Sequence, residues 1–320
     1  MTLHTPICDM LNIKVPVFLA GMGGVAYAEV CAAVSEAGGF GTLGMAAVEA
    51  ELIREQMRAV RELTDKPFGV DLLAALPETI QAATDIIIEE GAAAFIAGLG
   101  VPGAVVERFH EAGVKVISMC GRVKHAVAAE QAGCDAVVAQ GTEAGGHTGK
   151  VAATALIPQI VDAVEIPVLA AGALVDGRGL AAALAFGAQG VWMGTRFIAS
   201  EEARAAEAYK QSIIDAGAGD TVVTRCYSGK PMRVIANPYV EDWEQRPDEL
   251  QTFPMQAKAS YEAGVMNLSL DAWEDMDPER SCMPAGQGSG GIQEVLPAGE
   301  IVRRVVDEAR ATIDGMKALL

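Results

Sequence analysis

The chain has 320 residues, of which 51% are hydrophobic, 5% aromatic and 21% charged. This length and composition predict one large domain or two ordinary ones with a real core, which excludes disorder and a small disulfide scaffold. The 24 Lys and Arg residues against 42 Asp and Glu residues give a net charge of −18. That balance argues against nucleic acid as a partner, because proteins that hold phosphate backbones carry the opposite charge.

The cysteines and the N-terminus bear on location. The six cysteines form no C-x-x-C pair, and the four histidines make no metal-like cluster with them, so we expect no metal and a reducing, cytoplasmic compartment. The N-terminus lacks the basic and apolar regions of a signal peptide. Uninterrupted apolar runs stay below the roughly 20 residues of a membrane span. We therefore expect a soluble, unprocessed protein with no membrane partner.

Short apolar runs alternate with amphipathic segments eight times in the first two thirds of the chain. The runs are nearly continuous in apolar character, as parallel strands covered on both faces are, and they span residues 15–20, 40–44, 68–73, 93–97, 115–120, 136–140, 167–171 and 190–194. Segments with helical spacing lie between them, at residues 27–37, 49–63, 77–90, 102–112, 124–132 and 178–186. Several of these segments end at a glycine suited to a left-handed C-terminal cap, namely Gly38, Gly91, Gly113, Gly133 and Gly187.

Eight βα units in a row favour an α/β fold of the (β/α)8 TIM barrel type, covering residues 1–216. A doubly wound open sheet is the alternative. It usually carries its phosphate-binding glycines after the first strand, whereas the polar glycine clusters of this chain follow the sixth to eighth strands. The barrel is the preferred prediction.

Residues 217–320 do not continue the alternation of apolar runs and amphipathic segments, and they are predicted to form a C-terminal appendage. Residues 221–226 and 233–236 have strand character, 241–264 is polar and helical, and 275–291 is rich in Pro, Gly, Met and acids. Residues 298–320 form an amphipathic helix. Its apolar face consists of Ile301, Val302, Val305, Ala309, Ile313, Met316 and Leu320, and its polar face includes Arg303, Arg304, Asp307 and Glu308. We expect this helix to pack on the barrel, with its polar face in water.

The densest polar feature is the segment Q-G-T-E-A-G-G-H-T-G at residues 140–149, directly after the sixth strand. In a barrel this is the rim where active sites lie, and its four glycines let a ligand approach the backbone closely. His147 is the candidate acid–base residue, with an exposed side chain of no function as the alternative. Glu143 is either catalytic or, with more support, a loop anchor or N-cap.

Two further glycine segments follow the seventh and eighth strands, at residues 171–177 and 193–197. Backbone N–H groups and the Thr195 hydroxyl would suit a phosphate monoester there, although ordinary turn chemistry is the alternative. Residues 20–24 place Met22 among glycines, where they could lie along a flat ring. Cys120 fits a small core residue better than a nucleophile. No P-loop, H-E-x-x-H or G-x-S-x-G motif is present, which excludes phosphoryl transfer, zinc hydrolysis and serine hydrolysis.

Residues 135–149, 170–172, 176–179 and 193–197, with tail residues 220–225, 229–233 and 286–288, resemble the nitronate monooxygenase family. That family also contains flavin-dependent enoyl-thioester reductases and NAD(P)H:quinone reductases. The resemblance implies an FMN-binding barrel in which His147 lies over the flavin and handles substrate and proton. The FMN contacts that it implies are Met22, Asp71, Gln140, Gly145, Gly172, Ala173, Met193, Gly194 and Thr195.

Three residues depart from the family pattern. The family usually has Asn at the position of Asp71, a second Gly at that of Ala173 and Gln at that of Trp192. A carboxylate at Asp71 would fit poorly beside a dianionic phosphate unless it faces another partner. The phosphate site survives the change at Ala173 if only backbone N–H groups are used.

The resemblance leaves two reactions open. The first, slightly preferred, is oxidation of an alkyl nitronate with O2 to a carbonyl compound and nitrite. The second is an NAD(P)H-dependent reduction of an enoyl-CoA, an enoyl-ACP or a quinone, for which Arg225, Lys230 and Arg233 are either a basic binding surface or an ordinary solvated strand pair. A flavin-free isomerase or aldolase is a third class. The sequence supports it poorly, because the candidate for a Schiff-base lysine, Lys150, lies past the glycine loop rather than in a strand. A homodimer is left open.

Overall fold

Eight parallel strands form the central sheet of the structure, a computed structural model that describes residues 3–74, 77–266, 276–317 and 319. The strands are β1 (Val17–Leu19), β2 (Gly41–Gly44), β3 (Phe68–Leu73), β4 (Ala94–Gly98), β5 (Lys115–Cys120), β6 (Ala136–Gln140), β8 (Val168–Ala171) and β9 (Gly190–Met193). They pair in the order β1-β9-β8-β6-β5-β4-β3-β2, and a bridge between Phe18 and Phe40 joins β1 to β2. The predicted (β/α)8 TIM barrel is confirmed, with all eight predicted strands in place.

Ten helices within the described part of the first 216 residues accompany the strands. They are α1 (Pro6–Leu11), α2 (Ala28–Glu36), α3 (Ala50–Leu63), α4 (Pro77–Glu89), α5 (Val106–Glu111), α6 (Val123–Gln131), α7 (Ala153–Val161), α8 (Gly177–Ala185), α9 (Thr195–Ile198) and α10 (Glu207–Asp215). The five predicted glycine caps all have positive φ angles, between 69° and 93°, so these helices end as the sequence indicates. Helix α5 is shorter than predicted, because residues 103–105 form turns after Pro102.

Helix α1, which the sequence analysis did not predict, packs at the amino ends of the barrel strands. Its Ile7 and Leu11 belong to the same buried cluster as Phe18 and Trp192 inside the barrel. The rings of Phe18 and Trp192 stack with centroids 6.2 Å apart. The indole at position 192 therefore fills the barrel interior, which accounts for a large residue at this position.

The appendage adds a small antiparallel sheet of order β10-β11-β7, formed by β10 (Thr221–Thr224), β11 (Met232–Ile235) and β7 (Gly146–His147). The predicted helical segment 241–264 is instead two helices, α11 (Pro238–Glu244) and α12 (Met255–Glu262), with a 3-10 turn at Pro247–Glu249 between them. The prolines at 247 and 254 explain the break, since proline does not continue a helix. Of the predicted segment 275–291, residue 275 lies outside the described residues.

The last helix, α13 (Ala298–Lys317), packs on α8 and α2. The predicted apolar face is buried from Ile301 to Ala309, but Met316 is 44% exposed, since the helix beyond residue 310 leaves the barrel surface. Leu320 lies outside the described residues. Glu308 was expected to face only water, yet it accepts a hydrogen bond of 2.9 Å from the backbone N–H of Gly177. Among the described helices, none has the length and apolar character needed to cross a membrane.

Candidate active site

A cavity of about 1150 Å³ opens at the carboxyl ends of the barrel strands. It is lined by the loops after all eight strands and by tail residues between Ser228 and Gly288. This is the end of a TIM barrel where active sites are built. The volume exceeds the roughly 300–1,000 Å³ of an ordinary ligand pocket, so there is room for a cofactor and a substrate together.

The structure brings all ten predicted site residues to the wall of this cavity. They are Met22, Asp71, Gln140, Gly145, His147, Gly172, Ala173, Met193, Gly194 and Thr195. They come from loops separated by up to 170 residues in the chain, so their convergence follows from the closed barrel rather than from local sequence. Their individual roles toward a cofactor stay predictions.

Free backbone N–H groups line the cavity after β8 and β9. Those of Gly172, Ala173, Gly194 and Thr195 donate to no acceptor among the described residues. Gly172 has a φ of +114° and Ala173 a φ of +54°, so the chain turns sharply here. The Thr195 Oγ1 accepts from Gly286 N–H at 3.0 Å, which leaves its own proton available to donate. This phosphate cup, defined by these four residues, fits the phosphate of FMN.

Asp176, an acidic residue near the phosphate cup, is engaged in hydrogen bonds and an ion pair of its own. The carboxylate of Asp176 caps helix α8 by accepting from the N–H groups of Arg178 and Gly179, and it also pairs with the Arg178 guanidinium. The tail covers the cup on its other side, because a Cβ built at Gly288 would lie 3.1 Å from the Cα of Ala173. Only a residue without a side chain fits between the tail and the cup.

Loop residues after β1 pack flat beside the phosphate cup, since β1 pairs with β9. A Cβ built at Gly44 would lie 2.3 Å from the Met22 backbone, and one built at Gly21 would lie 2.2 Å from the Cβ of Asp71. Small residues are therefore required, and together they leave a smooth surface beside Met22. Such a surface suits the face of a planar ring, so the donor set and the shape of the cavity both fit a flavin mononucleotide.

Asp71 lies within β3, two residues before Leu73 at its carboxyl end, and the strand order places β3 across the barrel mouth from β8. The expected conflict between its carboxylate and a phosphate therefore does not arise at the phosphate cup. No hydrogen-bond partner for its side chain exists among the described residues. Burial raises the pKa of Asp71 well above its ordinary value, since an unpaired charge is costly away from water.

His147 is held on both sides. Strand β7 pairs its backbone with Met232 of β11, and Gln140 Nε2 donates to the His147 carbonyl at 2.7 Å. The imidazole Nε2 lies 2.9 Å from the Ser228 hydroxyl. Burial, with a smaller effect of the Lys230 ammonium, lowers the pKa of His147 to about 4. The side chain is thus a half-buried, neutral imidazole at pH 7 rather than an exposed one, and its catalytic role stays a prediction.

Glu143 anchors the loop, as its structural alternative predicted. Both carboxylate oxygens accept from the N–H of Ala153, at 2.9 and 3.1 Å, at the start of α7. Arg233 supports the same loop by donating to the carbonyl of Thr142 at 3.0 Å. Cys120 is fully buried, and burial raises the pKa of its thiol to about 12. It is therefore no nucleophile.

The predicted basic cluster in the tail does not form one surface. Arg233 is buried, Arg225 is exposed outside the cavity wall, and Lys230 alone lines the cavity. Instead, the mouth carries a basic rim, which we define as Arg122, Lys230 and Lys258. In the described sequence only one of these pairs with a carboxylate, Lys258 with Glu262 at 3.8 Å.

Three features of the site escaped the sequence analysis. The pairing of β7 with β11 brings Ser228 next to His147, and no local sequence motif predicts that contact. Arg122 and His125 follow β5 in a segment with no glycine cluster. Residues 285–288 approach the barrel loops closely. The sequence signal for this contact is the G-Q-G segment at 286–288, which entered the sequence analysis only as part of the family resemblance. Nowhere in residues 3–74, 77–266 and 276–317 do three metal-ligating side chains converge.

The barrel, the phosphate cup and the neutral histidine form a (β/α)8 site whose shape and hydrogen-bond donors suit a phosphorylated planar cofactor. The family model described as nitronate monooxygenase matches residues 4–87 and 78–308. The chain therefore belongs to the nitronate monooxygenase family, whose enzymes are flavin-dependent oxidoreductases.

Known proteins similar to the chain carry different names. A probable nitronate monooxygenase of Staphylococcus saprophyticus is 36% identical over 302 residues, covering 80% of this chain and 85% of its own. A 5-hydroxy-7a-methyl-1-oxo-octahydroindene-4-carboxyl-CoA dehydrogenase of Mycobacterium tuberculosis is 41% identical over 247 residues, covering 76% and 69%. The structure of FabK from Thermotoga maritima superposes with a TM-score of 0.91 at 36% identity, over 99% of both chains. The family is thus certain, and its members differ in substrate.

Proposed function

We propose that the protein is an FMN-dependent oxidoreductase that reduces the carbon–carbon double bond of an enoyl thioester of CoA or acyl carrier protein, with NAD(P)H as electron donor. The observation that carries the proposal is the cavity. Its size and its largely apolar wall, which includes Leu73, Leu99, Met119 and Phe253, suit an acyl chain. Its mouth carries the basic rim, in a chain of net charge −18, and this suits a phosphorylated carrier.

The phosphate cup would hold the FMN phosphate by its backbone N–H groups, and Gly21, Met22 and Gly145 would lie along the ring. When bound, the flavin supplies two-electron hydride chemistry between NAD(P)H and the substrate. The protein's part is to bind and orient the thioester and to exclude water. The tail residues that close over the phosphate cup would exclude water.

His147 would act as a neutral hydrogen-bond donor to the thioester carbonyl. With a pKa of about 4 it holds no second proton at pH 7, so polarisation by an N–H is favoured over proton donation by an imidazolium. Ser228 Oγ accepts from Lys230 N–H at 3.3 Å, and its single proton has two acceptors in reach, the Lys230 carbonyl at 3.2 Å and His147 Nε2 at 2.9 Å. We assign this proton to the nearer acceptor, His147 Nε2. The ring proton then lies on Nδ1, the nitrogen left for the substrate.

Oxidation of an alkyl nitronate with O2 is the second candidate. The observation that favours it is Lys230, a cation beside His147 that pairs with no carboxylate in the described sequence. A neutral imidazole N–H and an ammonium would bind the anionic oxygens of a nitronate. This reaction needs neither the apolar wall nor Arg122, and for that reason we place it second.

Anaerobic stopped-flow separates the two candidates. The flavin-loaded protein is mixed separately with NADH, NADPH and propyl nitronate, and bleaching of the flavin band is followed. The reductase proposal expects fast bleaching by one nicotinamide and reoxidation by an enoyl-CoA. Bleaching by nitronate alone would overturn it in favour of the second candidate.

A charge variant tests the thioester class. Replacing Arg122 with Gln is expected to raise KM for an enoyl-CoA about fivefold, as loss of an exposed charge pair does. KM for the matching N-acetylcysteamine thioester, which has no phosphates, should not change. Lys124→Gln, two residues away and outside the cavity wall, is the matched control. Equal effects on both thioesters would contradict a phosphorylated carrier.

A further inference from the structure

Asp71 is the one acidic side chain that lines the cavity in the described part of the chain. Its strand neighbours in register are Gly44 of β2 and Ile96 of β4. Loop residue Gly21 approaches so closely that a Cβ there would lie 2.5 Å from the Asp71 Oδ2. The carboxyl group is therefore confined between backbone segments and has little freedom to turn toward solvent.

The surroundings of Asp71 offer no positive charge. Gly21, Gly44 and Gly98 have no side chains, and Ile96 and Met22 are apolar. The titratable groups on the rest of the cavity wall are Cys120, Arg122, His125, His147, Tyr209, Lys230, Lys258 and Cys282. Of these, none forms an ion pair or a hydrogen bond with the Asp71 carboxyl. An ionised carboxylate at this place would be uncompensated, and burial favours its neutral form.

We propose that Asp71 binds the flavin as a neutral carboxylic acid whose O–H donates to an acceptor atom on the ring end of the cofactor, so that flavin affinity falls as Asp71 ionises. The inference rests on the proposed FMN site. The phosphate cup lies across the barrel mouth from β3, so a flavin whose phosphate is held in the cup would have its ring end toward Asp71. A neutral acid offers both a donor and an acceptor, as the side-chain amide of Asn also does.

The test is the pH dependence of flavin affinity. Flavin-free protein is titrated with riboflavin between pH 5 and 9, and with FMN between pH 7.5 and 9, where the phosphate of FMN, with a second pKa of about 6, is already ionised. Wild type is expected to lose affinity for both ligands with rising pH, approaching about tenfold per pH unit once Asp71 ionises in the free protein. Asp71→Asn, nearly the same shape, should bind both with no such slope.

Each other outcome overturns the proposal. An equal slope in wild type and Asp71→Asn would assign the titration to another group. A slope with FMN but not with riboflavin would place Asp71 near the phosphate. Tight binding with no slope in wild type would remove Asp71 alone and leave the FMN site standing, whereas failure of both flavins to bind would overturn the FMN site itself. Asp71→Ala, which lacks both donor and acceptor, should bind more weakly at every pH, and unchanged affinity would contradict the hydrogen bond.

Discussion

The imidazole Nε2 of His147 lies 2.9 Å from the hydroxyl of Ser228, and this contact joins the barrel loop after β6 to the C-terminal appendage. Ser228 is 1% exposed and belongs to the turn between β10 and β11. The appendage therefore does more than cover the barrel, because it sets the orientation of the candidate catalytic side chain. Activity should depend on it even where the flavin site does not.

Replacing Ser228 with Ala is expected to lower kcat about tenfold, since one hydrogen bond contributes roughly 0.5–1.5 kcal/mol, while flavin content stays the same. His147→Ala should retain flavin and lose about 100-fold or more in turnover. Steady-state kinetics of both variants and of the double variant give the measurement. If Ser228 acts through His147, its replacement has no further effect in the His147→Ala background. Additive losses would contradict a positioning role.

The lowered pKa of His147 makes stability depend on pH. Above pH 6.5 the histidine is neutral in both folded and unfolded chains, so stability is at its full value. As pH falls from 6.5 toward about 4, the unfolded chain takes up the proton first, and up to about 3 kcal/mol is lost.

His147→Gln, which cannot titrate, isolates this effect. Urea denaturation at pH 7, 5.5 and 4.5 should show a steeper decline in the free energy of unfolding for wild type than for the variant. Parallel declines would mean that His147 keeps an ordinary pKa in the fold. Other acid-sensitive groups, such as Asp135 with its partners His110 and Lys115, are common to both proteins and cancel in the comparison.

The barrel was predictable because parallel strands covered on both faces leave a continuous apolar signature, as residues 115–120 and 136–140 show at their observed ends. The phosphate cup was predictable because its turns require glycine or a left-handed residue. Strand β7 was not, because two residues paired with a distant strand leave no period in the sequence. Helix α1 was missed for a similar reason, since six residues span fewer than two helical turns.

Which basic residues line the cavity was also not predictable from local sequence. Lys230 was noted with Arg225 and Arg233 as a cluster because they are close in sequence, yet Arg225 and Lys230 lie in the turn between β10 and β11, whereas Arg233 lies within β11. Arg233 is consequently buried against Thr142 and Thr221. Lys230 meets Phe253 instead, with its ammonium 4.2 Å from the ring centroid. The basic rim is a property of the closed barrel and the folded tail together.

Ala173 adopts a left-handed conformation with a φ of +54°, which costs a residue with a Cβ about 1 kcal/mol. Ala173→Gly is expected to stabilise the protein by about 0.5–1 kcal/mol and to leave the N–H groups of the phosphate cup in place. Thermal denaturation of the flavin-free protein measures this. Ala132→Gly, at a helix end with a φ of −78°, should instead destabilise by a similar amount. Destabilisation at both sites would show that the turn at 173 is unstrained.

The contact between α8 and α13 should be highly sensitive to a single added methyl group. A Cβ built at Gly177 would lie 2.2 Å from the backbone nitrogen of Ala309 and 2.4 Å from the Cβ of Glu308. Backbone atoms cannot yield as a flexible side chain does, so Gly177→Ala must push α13 away from the barrel and weaken the bond from Gly177 N–H to Glu308.

We expect Gly177→Ala to lower the free energy of unfolding by about 1–3 kcal/mol or more, as overpacking does. Gly219→Ala, where a Cβ meets nothing within 4 Å, should stay within about 0.5 kcal/mol of wild type. Both are measured by urea denaturation with hydrogen exchange of α13 as a second readout. If α13 is integral to the barrel, the Gly177 variant loses protection there first. Equal stability of the two variants would mean that the final helix packs too loosely to hold the end of the chain on the barrel.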